Sequence, residues 1–298
     1  MSPEQFSRRQ FITVAGTIAA WGIASAHAGT CKRRRRSGSL QRRLLASSLR
    51  VRPDIASLSE EQLGSLRNGV AAMKALPASD PRSWRFQANI HGTLGPATSP
   101  LFNQCEHGTL LFLAWHRGYL YYFERILRQA AGDPSLTLPY WDWTASPTLP
   151  AAFRTPADSS NPLYENSRTI NDGSALPSEV VVDDLNTALD SVPFPPSGSI
   201  GFSPSLEDSP HGQVHVFVGG NMRRVPTAAN DPIFWLHHCN IDRLWNHWLN
   251  LGAQPTDTVR SLLRRAGVLR RRHEQRLGIE RKGEAVPVTE KSEEAAGA

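Results

Sequence analysis

The stretch Asp231-Pro232-Ile233-Phe234-Trp235-Leu236-His237-His238-Cys239-Asn240-Ile241-Asp242-Arg243-Leu244-Trp245 decides how this chain folds. It opens with an N-cap aspartate and a proline at the first helical position, where a missing N–H has no bond to lose. Phe234, His238, Ile241 and Trp245 then recur at helical spacing and, with Trp248, line one face up to a stop near Gly252. Neighbouring residues on a helix stand ~100° apart, so only one of His237 and His238 faces the centre that this stripe faces. His238 shares the stripe and is the expected inward ring. Asp242, one turn further on, is placed to accept an N–H from that imidazole and fix its tautomer. The competing reading of Asp242 is an ion pair with Arg243 or another arginine.

Upstream, His211 and His215 are four residues apart, which turns both rings to one side of a helix. Such a pair is weak evidence alone. A second cluster changes its weight: His91, His107 and His116. A helix is expected over about Arg82 to Gly92, with Trp84 and His91 on one face. Another is expected from near His116, where Leu120, Phe123 and Leu127 share its face and Gly132 is a fitting stop. Each cluster supplies three imidazoles without a carboxylate. Imidazole suits copper, zinc, iron and nickel alike, and three neutral imidazoles leave coordination positions open. Of the ten histidines, His27 and His273 fall outside these clusters, and His247 reads as an ordinary half-buried ring.

Around the clusters the chain is mainly helical. Ser59-Glu60-Glu61-Gln62 is a capping box that opens a packing helix with Leu63, Leu66, Val70 and Met73 on one face. From Ser135 to Glu207 the composition is rich in Pro, Ser and Asn, with one helix expected around Glu179 to Leu189. Long irregular stretches of this kind tend to form ligand rims. No internal repeat and no clear sheet is visible.

The formal charge is +6, yet residues 53–257 hold 12 Lys/Arg against 20 Asp/Glu, a net of −8. The positive charge therefore lies in the two ends, as in solvated tails. No phosphate-cradling glycine loop and no nucleic-acid motif is present, so nucleic acid is not an expected partner. Three cysteines, Cys31, Cys105 and Cys239, exclude a disulfide scaffold. Ser7-Arg8-Arg9-Gln10-Phe11-Ile12 reads as a twin-arginine export signal, followed by an apolar run to Ser25 and Ala26-His27-Ala28 as a cleavage site. That run is shorter than the ~20 residues of a spanning helix, so no stable membrane anchor is expected and the destination is secreted or periplasmic. The expected organisation is a signal over 1–28, a basic disordered lead-in over 29–52, a folded domain over 53–257 and a charged low-complexity tail over 258–298.

Several stretches carry a family resemblance. Cys105-Glu106-His107, Phe112-Leu113-Ala114-Trp115-His116-Arg117 and Tyr122-Phe123-Glu124-Arg125-Ile126-Leu127 resemble the copper A region of tyrosinases, catechol oxidases and molluscan haemocyanins. Pro139-Tyr140-Trp141-Asp142-Trp143 resembles the landmark that follows it. Pro210-His211-Gly212-Gln213-Val214-His215, Gly219-Gly220-Asn221-Met222 and the stretch from Asp231 to Trp245 resemble copper B. The likeness runs in order from about Trp84 to Trp248.

The resemblance implies a four-helix bundle holding a binuclear copper centre, with long irregular loops. One copper is expected on His91, His107 and His116, the other on His211, His215 and His238. It implies O2-dependent oxidation of o-diphenols to o-quinones, with small phenols as substrates, O2 as co-substrate and a copper-delivery protein as a further partner. A thioether between Cys105 and His107 is implied, with a free thiol as the alternative. Glu207, four residues before His211, matches a glutamate that orients a water. Gly212 stands where relatives often carry an asparagine that helps to activate that water, so hydroxylation of monophenols is expected to be the weaker activity. Val225, thirteen before His238, matches a gate over copper A, and Arg223 and Arg224 beside it are placed to attract carboxylated phenols or to form a solvated rim. Other readings are an o-aminophenol oxidase on the same site, an O2 carrier like haemocyanin, and a zinc protein.

Overall fold

Residues 50–191 and 201–250 are described by a computed structural model, and its order comes from helices. Helix α1 (Glu60–Ala75) is opened by Ser59 and Gln62, whose side chains bond each other's backbone N–H groups as the capping box requires. Its buried Leu66, Val70 and Met73 pack on α3. Helix α2 (Trp84–His91) is capped by Ser83, whose hydroxyl accepts the Phe86 N–H. Helix α3 (Phe112–Ala131) stops at Gly132, which adopts the left-handed φ of 66° that favours glycine.

Helix α3 begins one turn before the start expected near His116. The extra turn, Phe112 to Trp115, is buried on every side. A fully buried turn has no polar face, so periodicity alone does not mark its beginning.

The long segment after α3 is irregular, as expected, and is pinned by buried Trp141, Trp143, Leu149, Phe153 and Leu163. It contains a π-helical turn (Glu179–Asp183) leading into α4 (Asp184–Asp190). Then follow α5 (Phe202–Leu206), a π-type turn over Glu207–Gly212, α6 (Gln213–Val218), a 3-10 turn (Gly220–Arg223) and α7 (Val225–Ala228). Among the described residues no strand is present, and isolated bridges pair Asp54 with Tyr140 and Thr148 with Ala175.

Helix α8 (Pro232–Asn250) carries the His237-His238 pair. Its first turn is tied down by Asp231, whose carboxylate accepts the Ile233 N–H at 2.9 Å and two N–H groups of Arg168. Both partners of that ion pair are fully buried. Such a pair holds its geometry well because breaking it leaves a charge stranded away from water. Helix α8 packs on α3 through Trp235 and Phe123, whose rings lie within 10° of parallel. The four helices that surround the histidines are α2, α3, α6 and α8, with α1 braced against α3 from outside.

The expected disordered lead-in over 29–52 needs correction at its C-terminal end. Arg52 bonds Glu124 at 2.9 Å and Asp242 at 3.0 Å, and Arg50 donates to the Pro134 carbonyl, so the folded unit includes these residues. Two deep carboxylates capture the arginine, a long-range effect that a run of cations does not reveal. The export signal, most of the lead-in, the tail and the stop near Gly252 lie outside the described residues, as do the side chains of His247 and Trp248. No helix among the described residues is long and apolar enough to cross a membrane.

Candidate metal centre

The two histidine clusters form two adjoining groups. In the first, His91 closes α2, His107 sits on the loop before α3, and His116 lies in α3. Their ring centroids are 5.4–5.7 Å apart. In the second, His211 lies at the end of the π-type turn, His215 in α6 and His238 in α8. Centroid separations there are 4.8, 5.0 and 5.5 Å. The groups touch: the rings of His116 and His238 stack at 4.4 Å, and those of His107 and His211 lie 5.9 Å apart.

Backbone carbonyls set the direction of four rings. His91 Nδ1 is 3.0 Å from the Val225 oxygen, His116 Nδ1 2.8 Å from that of Phe112, His211 Nδ1 2.8 Å from that of Glu207, and His215 Nδ1 2.8 Å from that of Met222. A carbonyl only accepts, so each Nδ1 carries the proton and each Nε2 keeps a free lone pair. Burial and neighbouring imidazoles hold the rings neutral: His91, His116, His211 and His238 lie well below the usual range, and His215 is pushed down to about 4. Neutral rings with fixed lone pairs are the state a cation requires.

His237 is also near the second group, but its chemistry differs. The Trp143 indole N–H, which can only donate, points at His237 Nδ1 from 3.2 Å. The proton of a neutral His237 is then on Nε2, which leaves no lone pair on that atom for a metal. His238 Nε2 instead faces His215 Nε2 at 3.3 Å.

Asp242 does not approach an imidazole. Its carboxylate is held by Arg117 from α3 and by Arg52. The expected role beside His238 is therefore corrected: one helical turn brought Asp242 to the right height, but two guanidinium groups give charge-assisted bonds that a neutral ring N–H does not match. His238 Nδ1 is left without a protein partner among the described residues.

Cys105 lies against the first group, with Sγ 3.3 Å from His107 Nδ1, 3.8 Å from His107 Nε2 and 3.4 Å from His116 Nε2. Burial, then Glu207 and Glu106, push its thiol well above the usual range, so it stays protonated. Cys239 is buried in α8, and burial pushes it up to about 12.

A cavity of about 440 Å³ opens over the rings and is lined by His91, His107, His211, His215, Glu207, Gly212, Arg223 and Val225, among others. Glu207 joins the two halves. Its side chain accepts the Gly108 N–H, next to His107, at 2.6 Å, while its carbonyl holds His211. Burial raises its carboxyl to about 7. Gly212 leaves room beside His211: a Cβ there would meet the Glu207 carbonyl at 3.4 Å, an ordinary contact. Val225 is 48% exposed at the cavity mouth.

Met222 to Val225 act as a strap across both groups, since one end holds His215 and the other His91. Gly92 lets the strap close, because a Cβ there would lie 2.7 Å from Pro226 Cα and 2.8 Å from the Val225 oxygen. The strap's carbonyls are the functional atoms that sequence reasoning missed, because every residue type carries one. Trp143 lies in a stretch that carries the resemblance, but nothing in that stretch marks its contact with His237.

Buried Nε2 atoms of His91 and His211 have no protein partner among the described residues. An unpaired buried acceptor is costly, and a cation between converging lone pairs removes that cost. Each group brings its side-chain ligand atoms within 4.8 Å of one another. The residues fit a pair of metal ions held by imidazole.

A family model described as the common central domain of tyrosinase matches residues 81–187 and 181–251. Similar curated proteins include "Tyrosinase HcTyr1" of a Hahella species, 33% identical over 71% of this chain and 56% of its own. The "Polyphenol oxidase, chloroplastic" of Malus domestica is 31% identical over 72% of this chain and 43% of its own. The chain thus spans about half the length of these relatives. Among solved structures, the Vitis vinifera (Grenache) polyphenol oxidase aligns with a TM-score of 0.57 at 30% identity, covering 71% of this chain and 75% of that one. A latent aurone synthase aligns at 0.59 and 28% identity, covering 72% and 51%.

Proposed function

This chain belongs to the tyrosinase family, and on that premise we propose that it is a copper-dependent phenol oxidase that converts o-diphenols to o-quinones with O2. Supporting this reading most directly are two adjoining groups of three neutral imidazoles, of which His91, His107, His211 and His215 line one open cavity. His91, His107 and His116 would hold one copper, and His211, His215 and His238 the other. When bound, such a pair supplies electron transfer between phenol and O2, with the protein contributing geometry and access.

The chain's own residues perform the remaining tasks. Backbone carbonyls of Val225, Phe112, Glu207 and Met222 hold the Nδ1 protons of four ligands, which keeps their Nε2 lone pairs aimed inward. Val225 sits at the mouth as the gate. Glu207, raised to about 7, takes up a phenol proton through a water as its general base. Gly212 brings no side chain to that water, so hydroxylation of monophenols is the weaker activity. The Cys105 sulfur lies beside the His107 ring. We assign it a thioether to a ring carbon, formed by loss of one hydrogen from each partner and two electrons to O2. Export through the twin-arginine signal at Ser7 to Ile12 belongs to the same proposal.

Copper loading followed by O2 uptake tests the reading. Catechol, L-dopa, tyrosine, tyramine and o-aminophenol are compared while bound metal is counted. Two coppers per chain and catechol turnover are expected. Fewer than two coppers, or no uptake with any phenol, overturns the proposal. Preference for o-aminophenol would assign the site to that substrate instead, and reversible oxygenation without turnover would assign it to carriage.

A further inference from the structure

Among the described residues Arg223 is the arginine that lines the cavity, on the same surface as His91 and His215. Most arginines with a described role here have a carboxylate: Arg52, Arg82, Arg117, Arg128, Arg168 and Arg243 each pair with Asp or Glu. Among the described residues no carboxylate or hydrogen-bond acceptor engages the Arg223 side chain. Two carboxylates line the cavity as well: Glu207, engaged by the Gly108 N–H, and the exposed Asp208, which among the described residues makes no ion pair with Arg223.

The backbone under Arg223 is fixed. Met222 on one side carries the carbonyl that holds His215, and Val225, two residues on, carries the carbonyl that holds His91. The strap is braced further by the Thr227 hydroxyl, which donates to the Asn221 carbonyl at 2.8 Å. A guanidinium rooted on this strap starts from a set position relative to both groups of imidazoles.

A phenol whose hydroxyls meet the imidazole floor points its opposite substituent at the rim. From this juxtaposition we propose that Arg223 is a specificity-determining residue that selects phenols carrying a carboxylate opposite their hydroxyls. The guanidinium matches a carboxylate with two parallel N–H donors. An ammonium in the same place meets repulsion. This inference rests on the phenol-oxidase reading above and adds the substrate class.

The holoenzyme is assayed with three catechols that differ at one substituent: 3-(3,4-dihydroxyphenyl)propionate, uncharged 4-methylcatechol and cationic dopamine. In Arg223→Gln the kcat/KM ratio of acid to uncharged catechol is expected to fall about two- to fivefold, the usual worth of an exposed ion pair. The loss appears in KM with kcat kept, as for binding shared by ground and transition states. Raised salt shrinks the wild-type preference. Arg223→Glu inverts the preference toward dopamine. Arg85, exposed on α2 and outside the cavity lining, is the control, and Arg85→Gln leaves the ratio unchanged. An unchanged ratio in Arg223→Gln overturns the inference while catechol oxidation stands. If no catechol turns over at all, the phenol-oxidase reading fails instead. Calorimetry then decides the inference by itself: 3-phenylpropionate binds more tightly than 3-phenylpropanamide to wild type but not to Arg223→Gln, and equal affinities in wild type overturn it.

Discussion

The Nδ1 atom of His91 lies 3.0 Å from the carbonyl oxygen of Val225, 134 residues further along the chain. The residue at the cavity mouth thus orients an imidazole at its floor, and access and ligand geometry share one piece of backbone.

Gly92 tests that link. Its replacement by alanine drives a Cβ into Pro226 Cα and the Val225 carbonyl, both backbone atoms that cannot rotate away. Gly92→Ala is expected to keep its helical signal but to lose about 10- to 100-fold in copper affinity, as when groups that orient metal ligands are disturbed. The loss should fall on one copper per chain, measured by competitive chelation. Full affinity at both sites would show that the strap yields freely.

As the proposed base, Glu207 is expected to give the activity a pH dependence. Burial raises its carboxyl to about 7, so it is protonated below that pH and acts as a base above it. Oxidation of monophenols, which needs the proton removed, should rise as pH passes through about 7. In Glu207→Gln that rise should vanish with a rate loss of about 100-fold or more, while diphenol turnover falls less. A Gln variant that keeps the rise would assign the titration elsewhere.

Gly212 has helical geometry and space for a side chain. Gly212→Asn is expected to fold normally and to raise the monophenol-to-diphenol rate ratio several-fold, on the order of 1 kcal/mol in the barrier. Initial rates with tyramine and dopamine measure it. An unchanged ratio would separate this position from water activation.

The buried Arg168–Asp231 pair secures the start of α8. Arg168→Met leaves the Asp231 carboxylate buried without its counter-charge, at a cost of about 3–5 kcal/mol. Urea unfolding should show this as a lower midpoint. The double variant with Asp231→Asn should recover part of the loss, because the stranded charge is then gone.

Local signals in the chain were sufficient for the long helices, apart from the buried first turn of α3, and for the two histidine clusters. The capping box at Ser59, the proline start of α8, the glycine stop of α3 and the spacing of His211 and His215 all act within a turn or two, so they can be read in order along the chain. The sequence also carried the resemblance that pointed to copper. Tertiary structure decided what depends on distant partners. Trp143 fixes the tautomer of His237 across 94 residues, and Arg117 reaches Asp242 across 125. Two backbone carbonyls of the strap aim ligands from both groups. Contacts of this kind are made by whichever groups the packed helices bring within ~3 Å, and a carbonyl leaves no mark in the order of residue types.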